Sequence, residues 1–409
     1  MVRLSPGGKE ALDAFIAKIT QEQKFPSFIF GVTTIDGEIY LKTGGNKVVN
    51  DPNSGTVDED AVWWICSQTK MIVHLAALQL IERGLLNPST PVSTLFPVLA
   101  NPIILDDITA EESTYRPAKE EIKVAHLLNF SSGLYYPAME NIGAILPEAY
   151  TTTYGKEGVH DKFFEILKSS YPAVPLKFEP GTDFVYGFSS DVLGFVVEKV
   201  SGKTLDAYCK ENIFVPLGMT ASFYLTPELK ERLVPLAYSD RQTGKFEPWA
   251  DQLKLIERDP SKATCHMGGV GIYASLRDYL KLLQHLLQIH AGKAEKPILS
   301  RETVHQLFVS TLPALGAQHI NELFAMIQPP ITGVQWGTAS GICTKDWPNK
   351  RRAGSAFWSG WAGTNHFIDP ATGIGAVYGT QIGPSPAIDI GIQSAFFEFE
   401  EVLYRGLEG

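Results

Sequence analysis

The chain has 409 residues, 44 % of them hydrophobic and 20 % charged, with a formal net charge of −10. This is an ordinary globular mixture, long enough for one large core or two unequal ones, and it excludes a disordered chain. The negative balance argues against a nucleic acid or an anionic membrane surface as partner, and no apolar run approaches the length of a membrane span.

In chain order, residues 1–9 read Met-Val-Arg-Leu-Ser-Pro-Gly-Gly-Lys and lack the apolar stretch of a signal peptide. Residues 9–23 predict an amphipathic helix with Leu12, Phe15, Ile16 and Ile19 on its apolar side. Residues 27–43 predict a β-hairpin turning at Asp36-Gly37. A short apolar run, Trp63-Trp64-Ile65-Cys66, then ends at Ser67. A helix carrying Ile72, Leu75, Leu78, Leu80 and Ile81 follows and stops at Gly84. Residues 88–115 are rich in loop formers, and a helical block is expected from about 141 to 225, broken at Pro180-Gly181. Residues 239–260 read as a polar, irregular excursion. Gly268-Gly269-Val270-Gly271 lacks both the Gly-x-Gly-x-x-Gly pattern and a βαβ setting, so nucleotide binding is not expected there. Ser275 is placed to cap a helix running to Ile289, with Asp278 at the third position. Strands are expected at 360–368 and 374–381 around a turn at 369–373, and an apolar helix at 388–404 closes the chain.

Strands near both ends and helices between them predict an α+β fold. An antiparallel sheet flanked by helices would come from residues 1–105 and 261–409. A mostly helical domain, 106–260, would be inserted between them, with an active site in the cleft. Cys66, Cys209, Cys265 and Cys343 are irregularly spaced and form no Cys-x-x-Cys pair, which suits free thiols in a reducing, cytoplasmic setting and no zinc site. No metal and no cofactor is expected.

The chemistry concentrates at Ser67-Gln68-Thr69-Lys70. Positions three apart on a helix share a face, so the hydroxyl and the amine stand one turn apart beside the free N–H groups of a helix start. Nucleophile, base and a place for an oxyanion converge in four residues, as in the Ser-x-x-Lys sites of penicillin-binding proteins and β-lactamases. Ser67 as an N-cap with Lys70 solvated is the plain alternative. Such a nucleophile needs a proton relay and a second oxyanion donor. Tyr186 is a relay candidate, or else a buried aromatic with its hydroxyl satisfied. No Gly-x-Ser-x-Gly elbow is present, and His126, His366 and Asp369 read as packing and turn residues rather than parts of a triad.

Five motifs then occur in one order. They are Ser67-Gln68-Thr69-Lys70, Leu127-Leu128-Asn129-Phe130-Ser131-Ser132-Gly133-Leu134, Phe178-Glu179-Pro180-Gly181 with Tyr186, Ile213-Phe214-Val215-Pro216-Leu217-Gly218-Met219, and Gly268 to Ser275. From about residue 10 to 405 the chain resembles the class C β-lactamase-related serine hydrolases and esterases. The resemblance implies a β-lactamase/penicillin-binding-protein-like fold, Ser67 as nucleophile, Lys70 as its base and Tyr186 as proton relay. It places the oxyanion hole at the N–H groups of Ser67 and Trp361, the latter in Trp358-Ser359-Gly360-Trp361. A lysine serves as a base near neutral pH only where burial or a neighbouring cation lowers its pKa.

Two departures redirect the substrate. The asparagine expected two residues after the tyrosine is Phe188, and the lysine expected on the last strand is Trp358. With Gly360 and Tyr135 these are the expected substrate-binding residues, and they make the site apolar where β-lactamases hold a carboxylate. Trp358 is similar to the esterase branch, and Tyr186-Gly187 with Asp191 is similar to fungal statin side-chain acyltransferases. The resemblance therefore implies acyl transfer from an apolar ester or thioester, through acyl-Ser67, to an alcohol of a small secondary-metabolite-like acceptor or to water. Small-molecule donor and acceptor are the expected partners, with an acyl carrier protein as a further candidate donor. A plain carboxylesterase shares the acyl-enzyme. A β-lactamase or DD-peptidase is disfavoured by Phe188 and Trp358, and an inactive binding module by the retention of Ser67, Lys70 and Tyr186.

Overall fold

The computed structural model describes residues 2–110, 113–137, 147–240, 242–249, 262–326, 330–383 and 390–409. The expected helix starts at 141 and 388, and most of the excursion at 250–260, lie outside these residues.

The first helix, α1 (Pro6–Gln21), is capped by Ser5, whose hydroxyl accepts from the Gly8 N–H at 2.9 Å. The hairpin follows as β1 (Ser27–Thr34) and β2 (Gly37–Gly45), with the turn at the expected Asp36-Gly37. After β3 (Val62–Trp64) comes a single 3₁₀ turn, Cys66–Gln68, that feeds α2 (Thr69–Glu82). The latter ends at Glu82, with Arg83 as its cap before Gly84, which takes φ +68. Further along are α3 (Ser189–Ser201), β4 (Tyr273–Ser275) and α4 (Leu276–His290). The C-terminal third supplies β5 (Val334–Trp336), β6 (Gly341–Cys343), β7 (Ala356–Ser359), β8 (Asn365–Asp369), β9 (Ile374–Gly379) and α5 (Ile390–Gly406).

The main sheet has seven antiparallel strands in the order β5-β6-β7-β8-β9-β1-β2. The N-terminal hairpin thus closes on the C-terminal strands through β1 and β9. Every residue of β1 is buried, because the sheet is covered on both faces. Phe28, Phe30 and Val32 pack on the side of α1 and α5 with Leu12, Phe15 and Phe399. Ile29 belongs to the larger core with α2, α3 and α4, and a Cβ on Gly31 would strike Leu280 of α4. A strand alternates its side chains between faces, so an all-apolar run needs two cores, and this sheet has them.

Helix α2 runs through the middle of the larger core. All its residues from Thr69 to Leu80 are buried, which an amphipathic surface helix would not allow. Lys70 and His74 are thereby carried into the interior, at 1 % and 0 % exposure.

Two local expectations are corrected. Residues 360–364 form a turn rather than the start of a strand, closed by the Gly363 N–H on the Gly360 carbonyl at 3.0 Å, with Gly363 at φ +89. Ser275 begins α4 but makes no capping bond, and Asp278 accepts from the Thr220 N–H and pairs with Lys281. Among the described residues no disulfide joins the four cysteines, and no described helix is long and apolar enough to cross a membrane.

Candidate active site

Ser67 sits on the turn between β3 and α2. Cys66 before it is held at φ +46, a left-handed conformation that a side chain with a Cβ adopts only when its surroundings impose it. Those surroundings are specific. The Ile65 N–H donates to the Ile272 carbonyl at 3.1 Å, and the Thr69 hydroxyl accepts from the Ile272 N–H at 3.0 Å. The Gln68 amide meets His366 Nδ1 at 2.9 Å, and Thr364 Oγ1 donates to the Ile65 carbonyl at 3.2 Å. The turn is pinned from Ile272 just before β4 and from Thr364 and His366 at the start of β8, which fixes the backbone that carries Ser67.

Lys70 Nζ lies 3.0 Å from Ser67 Oγ, 2.8 Å from the Gly269 carbonyl and 3.5 Å from the Tyr136 hydroxyl. From Tyr136 a further run of bonds leads inward. Its hydroxyl is 2.7 Å from that of Tyr150, which donates to Asp191 Oδ2 at 2.7 Å, while Asp191 Oδ1 accepts from the Gly269 N–H at 2.8 Å. All three side chains are buried. Burial pushes the Asp191 carboxyl up to about 6, opposed by the Lys70 charge and by the bonds from Tyr150 and Gly269. Burial also raises the Tyr136 and Tyr150 hydroxyls well above the usual phenol range.

Tyr186 approaches Lys70 through its ring, whose centroid is 4.6 Å from Nζ. Its hydroxyl oxygen accepts from the Trp358 indole N–H at 3.0 Å. Among the described residues no hydrogen bond joins that hydroxyl to Ser67 or Lys70. Phe130, itself at φ +61, stacks between Tyr186 and His74 at 5.3 and 6.0 Å and so sets the tyrosine ring. Burial lowers His74 to about 4, so it packs as a neutral ring, bonded to the Thr338 carbonyl and the Ser190 hydroxyl.

The remaining expected residues divide. A Cβ on Gly360 would lie 2.5 Å from the Ile65 carbonyl oxygen, so this glycine lets the end of β7 abut the serine turn. Trp361 follows on that turn, with its ring 5.9 Å from Trp64, and its N–H has no acceptor among the described residues. Trp358 is more than the apolar wall expected, because its N–H holds Tyr186. Phe188 is 2 % exposed and enclosed by Tyr136, Tyr150 and Phe163, so it backs the site rather than facing it. Tyr135 turns into a separate small cluster with Ile103 and Leu105. Its neighbour Tyr136 is the one at Lys70, because successive side chains of an extended segment point to opposite sides. Tyr136 and Tyr150 went unnoticed in the sequence, and the only signal was the Tyr135-Tyr136 pair after Gly133-Leu134. Among the described residues no cluster of His, Cys, Asp or Glu could hold a metal ion.

Residues 12–391 match the family model described as Beta-lactamase. A lovastatin esterase of Penicillium rubens is 30 % identical over 83 % of this chain and 85 % of its own length. The acyltransferase calJ of Penicillium decumbens is 27 % identical over 86 % of this chain and 83 % of its own. An unliganded simvastatin synthase of Aspergillus terreus superposes with a TM-score of 0.79 at 22 % identity, over 97 % of this chain and 98 % of that one, which is a likeness of fold.

Proposed function

The chain belongs to the Beta-lactamase family, and from that premise we propose that it is a serine acyltransferase or esterase working through an acyl-Ser67 intermediate. The observation that carries the reading is the buried Lys70 amine 3.0 Å from Ser67 Oγ on a pinned turn. Lys70 takes the hydroxyl proton as Oγ bonds to the acyl carbon, and the carbonyl electron pair moves onto oxygen, facing the N–H groups of Ser67 and Trp361. Collapse of the tetrahedral centre expels the alkoxide or thiolate, which takes a proton by way of Tyr186. An alcohol or water then loses its proton to the same groups and attacks the acyl-serine, and Ser67 leaves with its proton restored. In this reading the Trp358 N–H occupies one lone pair of the Tyr186 oxygen and leaves its O–H free to turn toward the leaving group.

The site is proposed to lie between residues 1–105 with 261–409, which bring Ser67, Lys70 and Trp361, and residues 106–260, which bring Tyr136 and Tyr186. Trp358, Tyr186 and Phe324 form adjoining aromatic surface and favour an apolar acyl group. The acceptor is proposed to be an alcohol of a small secondary-metabolite-like molecule. The donor is proposed to be an ester or thioester, with an acyl carrier protein among the candidate carriers. Four cysteines with no disulfide among them in the described residues support a cytoplasmic setting. Hydrolysis to a free acid shares every step to the acyl-enzyme, and the lovastatin esterase relative favours it as the second reading.

Intact-mass spectrometry after mixing with p-nitrophenyl butyrate, with and without acceptor alcohols, tests the proposal. An adduct of one butyryl group on the wild type and none on Ser67→Ala is expected, and an adduct on the variant would refute it. Initial rates on nitrocefin should be orders of magnitude below those on the ester. A β-lactam carboxylate would lose charge-assisted bonds of roughly 1.5–3 kcal/mol each here.

A further inference from the structure

Lys70 reaches a buried carboxylate by two routes that never bring the amine and the carboxylate into contact. One runs through the hydroxyls of Tyr136 and Tyr150 to Asp191 Oδ2, and the other through the Gly269 peptide, whose carbonyl accepts from Lys70 and whose N–H donates to Asp191 Oδ1. The second route admits no side chain, because a Cβ on Gly269 would lie 2.7 Å from both Asp191 Oδ2 and the Tyr150 hydroxyl. The glycine cluster at 268–271 thus closes a ring around the lysine.

Hydroxyls have one hydrogen each, so the direction of such a chain is decided at its end. An ionised carboxylate only accepts. Tyr150 must therefore donate to Asp191, Tyr136 must donate to Tyr150, and the Tyr136 oxygen is left facing Lys70 as an acceptor. A neutral amine has two N–H donors and one lone pair. With Gly269 and Tyr136 taking the two donors, the lone pair is left for the Ser67 proton.

We propose that Asp191, acting through Tyr150 and Tyr136, is a positioning residue that sets the direction of these hydrogen bonds and so keeps the Lys70 lone pair turned to Ser67. It builds on the assignment of Ser67 and Lys70 made above. When the carboxyl carries a proton the chain reverses. The acid donates to Tyr150, Tyr150 donates to Tyr136, and Tyr136 presents its O–H to the amine lone pair. Acylation then stalls although every side chain stays in place. No bond to carbon changes, and the proton count differs by the one on Asp191.

The groups facing Asp191 are Lys70 of α2, Tyr150 and Tyr154 of the segment at 148–154, Tyr136, and Cys265 of the strand of chain before Gly269. Burial pushes all the hydroxyls and the thiol upward, and it raises the carboxyl to about 6.

The test is the pH profile of p-nitrophenyl butyrate turnover from pH 5 to 8.5 for the wild type, Asp191→Asn and Tyr150→Phe, with circular dichroism melts as the control for folding. The asparagine NH₂ is a permanent donor and imposes the reversed chain at every pH. The phenylalanine cuts the chain. We expect the wild-type kcat to fall on an acidic limb near pH 6 with KM steady. Each variant should lose roughly ten- to a hundredfold in kcat at pH 7.5, as expected for a misaligned reacting group, and lose that limb. Variants within twofold of wild type, or variants that keep the limb, overturn the proposal. If neither variant folds, the wild-type profile decides, since a profile flat to pH 5 overturns it as well. Failure of the acyl-serine reading is distinct, because it leaves Ser67→Ala active.

Discussion

Two buried pairs of a basic and an acidic side chain among the described residues are built in opposite ways. Arg351 and Glu400 meet directly, Nε to Oε1 at 2.9 Å and Nη2 to Oε2 at 2.7 Å, and the Arg351 backbone N–H adds a third bond at 2.8 Å. Rings of Trp347, Phe357, Phe367 and Phe396 surround the guanidinium at 4.4 to 5.6 Å. Lys70 and Asp191 are as deeply buried but are kept apart by two phenols and a peptide. The first pair spends its hydrogen-bonding capacity on itself and ties the chain before β7 to α5. The second leaves an amine with capacity to spare beside Ser67. A fork that cannot be deprotonated suits the clasp, and a single amine on a flexible stem suits proton transfer.

Exchanging the two cations tests the comparison most severely. Lys70→Arg keeps the charge but removes the base, so it should be as inactive as Lys70→Ala, with turnover down at least about a thousandfold. Substantial activity in the arginine variant would reduce Lys70 to a positive charge.

Arg351→Ala should instead destabilise the protein by about 3–5 kcal/mol, because it strands the Glu400 carboxylate in the core. Chemical denaturation measures this, and a loss below about 1 kcal/mol would mean that the aromatic cage does not need the ion pair.

Asp191→Asn should move stability the other way. A carboxyl raised from 3.8 to about 6 by burial makes the folded state bind a proton more tightly than the unfolded chain. Its ionisation therefore costs stability above about pH 6, by about 3 kcal/mol, and the cost disappears as pH falls toward 4. Asparagine removes that cost. The variant should be more stable than wild type at pH 7.5, and the difference should shrink on acidification. A variant less stable at pH 7.5 would show that the bonds from Tyr150 and Gly269 outweigh the desolvation.

At the reactive face the effects are smaller and fall mainly on kcat. Tyr186→Phe should cost about a hundredfold, the usual scale for a positioned proton-transfer group. Trp358→Phe keeps the aromatic surface but removes the N–H on Tyr186, and should cost about tenfold in kcat with a modest change in KM. Equal rates for Trp358→Phe and wild type would return Trp358 to a purely apolar role.

Local signals were enough for much of this architecture. The hairpin at Asp36-Gly37, the helix stop at Gly84 and the one-turn spacing of Ser67 and Lys70 all rest on residues within a few positions of each other. Backbone geometry and side-chain periodicity decide such features without reference to the rest of the chain. The family motifs extend this reach, since their order along the chain implies the fold, which the family match and the superposition bear out.

Distance in the sequence marks where that reach ends. Which of Tyr135 and Tyr136 faces Lys70 depends on how an extended segment is rotated as it packs, and Gly187 pressed against the backbone at 134–135 is part of that packing. Tyr150 and Asp191 lie 80 and 121 positions from Lys70, with no spacing to relate them. Phe188 is read as a wall from its place in a motif, but α3 turns it inward behind Tyr136. The sequence alone determines that a serine and a lysine share a helix turn in an α+β fold. Only the tertiary structure decides what the lysine's other hydrogen bonds meet. Those bonds join segments that become neighbours when the larger core closes around α2, and no local preference encodes that closure.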